Sequence, residues 1–312
     1  MRRIYSHTRR STLEKCARQY FYECYAASYE APAQIPQLEL FRDIDPDHAV
    51  IASDVVGQVG RLKELSSAYQ AAGLILHSLI GEHWKHAEWS SDWFLQQASQ
   101  RFDAWVSRSR GDGTSGPVLL ECYYRLADAD ETIAEAKHRL LRALTTYFAD
   151  ESIRVFVGEL QRSDEVYTEQ SIGGLPNVRG FTIMGRIDVA VRTKSSVRVV
   201  DWKMGASVGD EDSLQLTLYG WWATQKFGIS PDSVVVQRVF LGDGTIERGV
   251  RMNERMLDRG RARLKQDVER MEGLHDYGVK GFWGAFPVCD KEKVCHQCKF
   301  QGVCPAVASA TA

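Results

Sequence analysis

Residues 185–205 read GRIDVAVRTKSSVRVVDWKMG, two β-branched runs separated by Thr193-Lys-Ser-Ser196. Valine-rich runs bounded by small polar residues read as strands, and so short a connection reads as a hairpin. In an antiparallel pair the numbers of opposed residues sum to a constant. A symmetric two- or four-residue loop pairs Arg192 with Val197, and Asp188 then lies opposite Asp201. Cross-strand neighbours have Cα atoms only ~4.5–5.5 Å apart, and like charges so placed repel. Strand alternation also puts Asp201 and Lys203 on one face. A divalent cation compensates the two acids economically, with Lys203 completing the charge balance. Mg²⁺ and Mn²⁺ suit such a site because they prefer carboxylate oxygens and retain waters. The plainer alternative pairs one carboxylate with Lys203 or Arg186 and leaves the other solvated. A three-residue loop would shift the register and send the acids to opposite faces.

Working outward, SLQLTLYGWWATQKFG has helical spacing and sets Gln215 and Tyr219 one turn apart on one face. Asp201-x-Lys203 followed twelve positions on by Gln-x3-Tyr is a compound pattern. Upstream, His77 sits in GLILHSLIG with Gly73 and Gly81 four residues to either side. Small neighbours of that kind let a partner approach closely, although a histidine on an apolar helix is also an ordinary core residue. Glu169, in EVYTEQSI, reads as a strand-edge surface residue, with a positioning role at the site as the alternative.

The rest of the chain divides by texture. Ser11-Thr-Leu-Glu14 has the spacing of a capping box, so a helix carrying CARQYFYECYAA is expected to begin there. Residues 31–60 read as irregular, 61–149 as helical apart from a GDGTSGP loop at 111–117. IRVFVGEL, EVYTEQSI, FTIMGRIDVAVRT and VRVVDWKMG read as strands. SVVVQRVFLGDGTIERGV suggests a hairpin around Gly242-Asp-Gly244, and 253–273 a charged amphipathic helix. The fold class is therefore α/β or α+β.

Composition fits this. The 312 residues are 44% hydrophobic and 26% charged with a net charge of −2, the balance of an ordinary globular protein with no global call for a nucleic-acid partner. Arg2, Arg3, Arg9 and Arg10 form one local basic group, and Arg259, Arg261, Arg263 and Lys265 another; a solvated face explains the second as well as a phosphate track does. No apolar run reaches the length of a membrane span and the first residues lack a signal-peptide core, so a soluble, cytoplasmic protein is expected. Of seven cysteines, Cys16, Cys24 and Cys122 are scattered while Cys289, Cys295, Cys298 and Cys304 crowd the end. An odd count without an export signal favours metal binding over disulfides. CHQCKFQGVC offers three close thiolates where a structural metal site usually takes four.

With GLILH, GRID, VVDWK and QLTLY in that order, the sequence resembles the PD-(D/E)XK nucleases, in particular the iron–sulfur exonucleases of the RecB/AddB and CRISPR-adaptation group. The resemblance is specific over about 73–220 and at both ends. It implies a single domain over 1–312 with a restriction-endonuclease-like core: a central mixed β-sheet flanked by helices (catalytic sheet and helix 151–250), a helical insertion at 61–150, and cluster-binding ends at 1–30 and 285–306. It implies that His77, Asp188, Asp201 and the Trp202 backbone carbonyl bind Mg²⁺ or Mn²⁺. Asp188, Asp201 and Lys203 would be catalytic, and Gln215 and Tyr219 would contact the substrate end. Trp202 itself departs from the family, where other residues stand between acid and lysine. Cys16, Cys295, Cys298 and Cys304 would ligate a [4Fe–4S] cluster; zinc is the alternative, with His296 or Cys289 in a different ligand set. The implied activity is DNA phosphodiester hydrolysis by an exonuclease acting on single-stranded ends, in repair, recombination or antiviral defence. A catalytically silent nucleic-acid-binding or assembly subunit is the alternative. No GxxxxGK[ST] loop is present, so unwinding would fall to a partner helicase or other protein.

Overall fold

The computed structural model describes residues 2–26, 53–111, 116–206 and 213–304. These form two compact units, one from Ser66–Asn177 and Thr182–Leu264, the other from Met1–Leu65, Val178–Phe181 and Lys265–Ala312.

The first unit is built on a mixed sheet. Its strands run in the order Val250–Arg251, Val234–Phe240, Val197–Lys203, Arg186–Arg192 and Glu165–Ser171, with Thr245–Ile246 paired to Val234–Phe240. Val197–Lys203 and Val234–Phe240 are parallel and the other neighbours antiparallel. The parallel pair is joined across helix Ser213–Phe227, as a crossover requires. The expected hairpin register holds: Arg192 pairs with Val197 and Val189 with Val200, closed by a Thr193 N–H to Ser196 carbonyl bond of 2.9 Å. Val189, Val191, Val200, Trp202 and Val239 pack into a core with helices Ala68–His83, Ser91–Arg110, Ala129–Ala149 and Glu151–Gln161.

Four sequence expectations change. IRVFVGEL is helix, not strand: Asp150 caps it by accepting the Ile153 N–H at 3.0 Å, and Ile153, Phe156, Val157 and Leu160 bury one helical face. The β-branched run had masked that 3.6-residue period. The first helix does not begin at Ser11. It spans His7–Lys15, capped by Ser6, whose hydroxyl accepts the Arg9 N–H at 3.2 Å. Ser53–Lys63 is helical rather than irregular, while 27–52 lie outside the described residues. The last long helix runs to Val279, burying Leu257, Leu264, Val268 and Met271.

The second unit is held by aromatic rings contributed from both ends of the chain. Helices His7–Lys15 and Ala17–Cys24 meet at Cys16, whose extended backbone breaks them apart. Phe21 packs on Phe286 at 5.0 Å and Tyr22 on Phe300 at 5.2 Å between ring centroids. Buried Arg18 donates through Nε to the Phe286 carbonyl at 2.8 Å and lies 4.5 Å over the Trp283 ring. Lys299 donates to the Lys63 carbonyl and pairs with Glu23, both at 2.9 Å. The Tyr25 ring rests on Gly278, where a Cβ would stand 2.6 Å from ring carbons. Basic residues near the N-terminus serve this packing: Arg10 pairs with Glu14 at 3.1 Å and Asp267 at 3.2 Å.

Candidate active site and cysteine cleft

In the sheet unit, Asp188 sits one step beyond the last regular pair of the hairpin. Its Oδ2 accepts the Trp202 N–H at 2.8 Å, a bond the ladder would otherwise give to a backbone carbonyl. The N–H and C=O of one strand residue leave on the same side, and the next carbonyl, of Lys203, accepts the Leu241 N–H on the opposite side. The Trp202 carbonyl is therefore directed toward the Asp188 strand. The Trp202 ring is fully buried behind the sheet, edge-on to Tyr147 at 5.4 Å and Phe156 at 6.4 Å. This anchor fixes the strand end that carries Asp201 and Lys203 on the other face.

Asp188 Oδ1 lies 3.2 Å from His77 Nδ1. It is a charge contact without hydrogen-bond alignment, so His77 Nδ1 stays buried with no hydrogen bond. Glu169 completes a trio: one ligand atom each from His77, Glu169 and Asp188 lie within 4.8 Å of one another. Of the two readings of Glu169, strand-edge surface residue or positioning residue at the site, the geometry favours the second, although its strand is at the sheet edge. It faces Asp188 across the sheet, at a position where the ladder between Thr168↔Val189 and Gln170↔Ile187 is interrupted. Its backbone turns to φ +52°, in the left-handed region. Gly81 makes room for it, since a Cβ there would stand 3.1 Å from Glu169 Cγ. His77 and Gly81 are one turn apart, so the small-residue spacing serves this side chain; Gly73 has nothing within 4 Å.

Asp201 stands apart from the trio. Its Oδ2 approaches Lys203 Nζ at 2.7 Å, again poorly aligned for a hydrogen bond, and its Oδ1 accepts from Tyr219 at 3.3 Å. Lys203 Nζ also donates to Gln215 Oε1 at 3.3 Å, and Gln215 Nε2 donates to the Tyr219 hydroxyl at 2.8 Å. These bonds close a ring through Asp201, Lys203, Gln215 and Tyr219. The buried Tyr219 hydroxyl shares its proton with the Arg186 carbonyl at 3.0 Å, so in this structure it is occupied by protein groups. Arg186 itself reaches Glu169 Oε2 at 3.2 Å from an exposed position.

The electrostatics follow from this crowding. Burial raises the Asp201 carboxyl above its ordinary range; Lys203 opposes the rise and Asp188 reinforces it. Burial, then the charge of Asp188, raises Glu169. Burial alone would pull His77 down, but contact with Asp188 and its charge wins and the imidazole is raised. Burial and the charges of Asp201 and Asp188 keep the Tyr219 hydroxyl protonated.

In the other unit, Cys16, Cys289, Cys295, Cys298 and Cys304 line one cleft with Arg18, Tyr22 and Gln301. Cys24 and Cys122 do not line it, and no cysteine is in a disulfide. Burial pushes the Cys298 thiol up to about 12, with Cys16, Cys304 and Cys295 close enough to add to the rise. The family resemblance had joined Cys16 to the tail; what it left open was Cys289, whose Sγ lies 3.7 Å from that of Cys295. His296 points elsewhere, toward exposed Glu292 at 3.4 Å.

A sequence model described as the PD-(D/E)XK nuclease superfamily matches residues 55–305. The chain belongs to the PD-(D/E)XK nuclease superfamily. The α/β architecture with a mixed sheet agrees with that core, and nucleases of this superfamily generally use divalent metals. The solved structure of SSO0001 aligns with a TM-score of 0.28 and 18% identity, over 55% of this chain and 78% of that one, a likeness that carries no argument. No curated protein sequence matches the chain. No helix among the described residues is long and apolar enough to cross a membrane.

Proposed function

We propose that this PD-(D/E)XK nuclease hydrolyses DNA phosphodiester bonds with Mg²⁺ or Mn²⁺, acting as an exonuclease on single-stranded ends. The observation that carries the reading is the convergence of His77, Glu169 and Asp188, with Asp201 and Lys203 beside them. Three carboxylates with partly buried oxygens need positive charge, and buried His77 Nδ1 and Asp201 Oδ2 have no aligned hydrogen bond. His77, Glu169 and Asp188 would hold the cation, with Asp201 and the Trp202 carbonyl completing its shell. When bound, a divalent cation supplies Lewis acidity at the scissile phosphate and a more acidic water. Lys203 places a positive charge where the phosphoryl oxygens gain charge. Gln215 and Tyr219 hold Lys203 and Asp201 in place and stand where a substrate end could take over their bonds. The complete set of acids, lysine, glutamine and tyrosine argues against a catalytically silent assembly subunit.

The cysteine cleft would hold a [4Fe–4S] cluster through Cys16, Cys295, Cys298 and Cys304. The donors are thiols of a type such clusters take. Such a site would cross-link the two chain ends that Arg18 and the aromatic rings already join. A helicase partner, and roles in repair, recombination or defence, belong to this reading as its biological setting.

The test is cleavage of end-labelled single- and double-stranded DNA with Mg²⁺ or Mn²⁺, with Asp201→Ala and Lys203→Ala as controls. Both variants should fold and bind DNA yet lose cleavage by about 100-fold or more. Undiminished cleavage by either purified variant would sink the assignment. Iron and acid-labile sulfide content of anaerobically purified protein tests the cluster, and a colourless protein with stoichiometric zinc refutes it.

A further inference from the structure

Five cysteines, not four, surround the cleft, and the sulfurs of Cys289 and Cys295 lie 3.7 Å apart, in contact. Each iron of a [4Fe–4S] cluster takes one thiolate, and thiolates on different corners radiate away from one another. Sulfurs in contact therefore serve one corner. Cys289 is held there by its own segment: its Sγ also reaches the Lys291 carbonyl at 3.9 Å, and the backbone N–H of Cys295, in the short helix Glu292–His296, donates to the same carbonyl at 3.2 Å. The Cys289 thiol and the Cys295 backbone N–H thus meet one carbonyl, and with the sulfurs already in contact, exchanging one for the other would be a rotation of side chains.

We infer that Cys289 is a reserve ligand for the iron otherwise held by Cys295, so that this corner survives the loss of either thiol. The inference rests on the cluster reading above. Cys16, Cys298 and Cys304 line the same cleft, and the inference concerns the Cys295 corner alone. A thiolate ligand lost from this corner by oxidation or alkylation would be replaced by a neighbour of the same chemistry.

The test compares wild type, Cys289→Ala, Cys295→Ala, Cys289→Ala/Cys295→Ala and Cys16→Ala, all purified anaerobically as full chains. Iron, acid-labile sulfide, the visible absorbance of the cluster and far-ultraviolet circular dichroism are read for each. Cys289→Ala should keep the wild-type content, and Cys295→Ala at least about half of it with a shifted spectrum, because the replacement thiolate meets the iron from a different direction. The double variant and Cys16→Ala should fall below about a tenth. Loss of iron by Cys295→Ala as complete as that by Cys16→Ala, with folded sheet signals retained, overturns the reserve-ligand inference alone. Retention of the full cluster by the double variant overturns it too, since neither thiol would then be a ligand. A wild type without iron and sulfide overturns the cluster reading and this inference with it.

Discussion

Gly81→Ala separates the stability of the helix from the geometry of the site. Gly81 is buried inside helix Ala68–His83, and alanine there should stabilise the helix by about 0.8–1.0 kcal/mol from propensity alone. The added Cβ would stand 3.1 Å from Glu169 Cγ, inside the 3.4 Å at which ordinary contact begins. One partner must yield by a few tenths of an ångström, and the helix backbone is the stiffer. Glu169 starts from a left-handed backbone and an ion pair with Arg186 at 3.2 Å, so its carboxylate swings away from His77 and Asp188. Loss of a supporting contact to a metal ligand typically costs 10–100-fold in affinity, about 1.4–2.7 kcal/mol. Calorimetric titration with Mn²⁺ should therefore show weaker binding by Gly81→Ala while its melting temperature is unchanged or higher. In a Glu169→Ala background the same glycine substitution should leave Mn²⁺ affinity unaltered. Equal Mn²⁺ affinity for wild type and Gly81→Ala would refute the packing argument.

Three further outcomes are expected. Gly278→Ala drives a Cβ to 2.6 Å from the Tyr25 ring, and chemical denaturation should report a loss of about 1–3 kcal/mol. Glu82 pairs with both Arg101 guanidinium nitrogens, at 2.7 and 2.8 Å, and Arg101 holds its carboxyl below the ordinary range. A lowered folded value means the pair stabilises the fold above the ordinary carboxylate range and is lost as pH falls through the folded value. Glu82→Gln should thus cost about 0.5–1 kcal/mol near neutral pH, with the difference from wild type vanishing in acid; a difference that grows in acid would contradict the sign. Removing divalent cations with a chelator should stop DNA cleavage, and Mn²⁺ should restore it to wild type but not to Asp201→Ala, as gel assays of labelled DNA would show.

The hairpin was legible because a tight four-residue turn leaves only one symmetric register, and the opposition of Asp188 and Asp201 follows by counting. Glu169 was legible only as the second of two readings, for the converse reason. Between Ser171 and Arg186 the chain passes through Gly173, Gly174, Pro176 and Gly180, and no count crosses such a connection. Its one available signal was the Gly81 notch four residues after His77, which announces a close neighbour without saying which. Helix Glu151–Gln161 was missed because Val155, Phe156 and Val157 carry strand propensity, while the Asp150 cap and the buried face decide otherwise. In the tail, spacing grouped Cys295, Cys298 and Cys304 and the family resemblance added Cys16, but only the fold places Cys289 against Cys295.

The unit that carries the cysteine cleft is written in three separated stretches of the chain. Arg18 leaves the ribosome some 268 residues before the Phe286 carbonyl it bonds, whereas Asp188 and Trp202 are 14 residues apart. The two units therefore mature on different clocks. The strands bearing the acids can close while translation continues, but the early aromatic helices wait for Phe286 and Phe300 to be made. Sequences so divided fold late and expose apolar rings in the meantime. A nascent chain stalled before Phe286 should already protect its sheet from protease while leaving Phe21 and Tyr22 open to it.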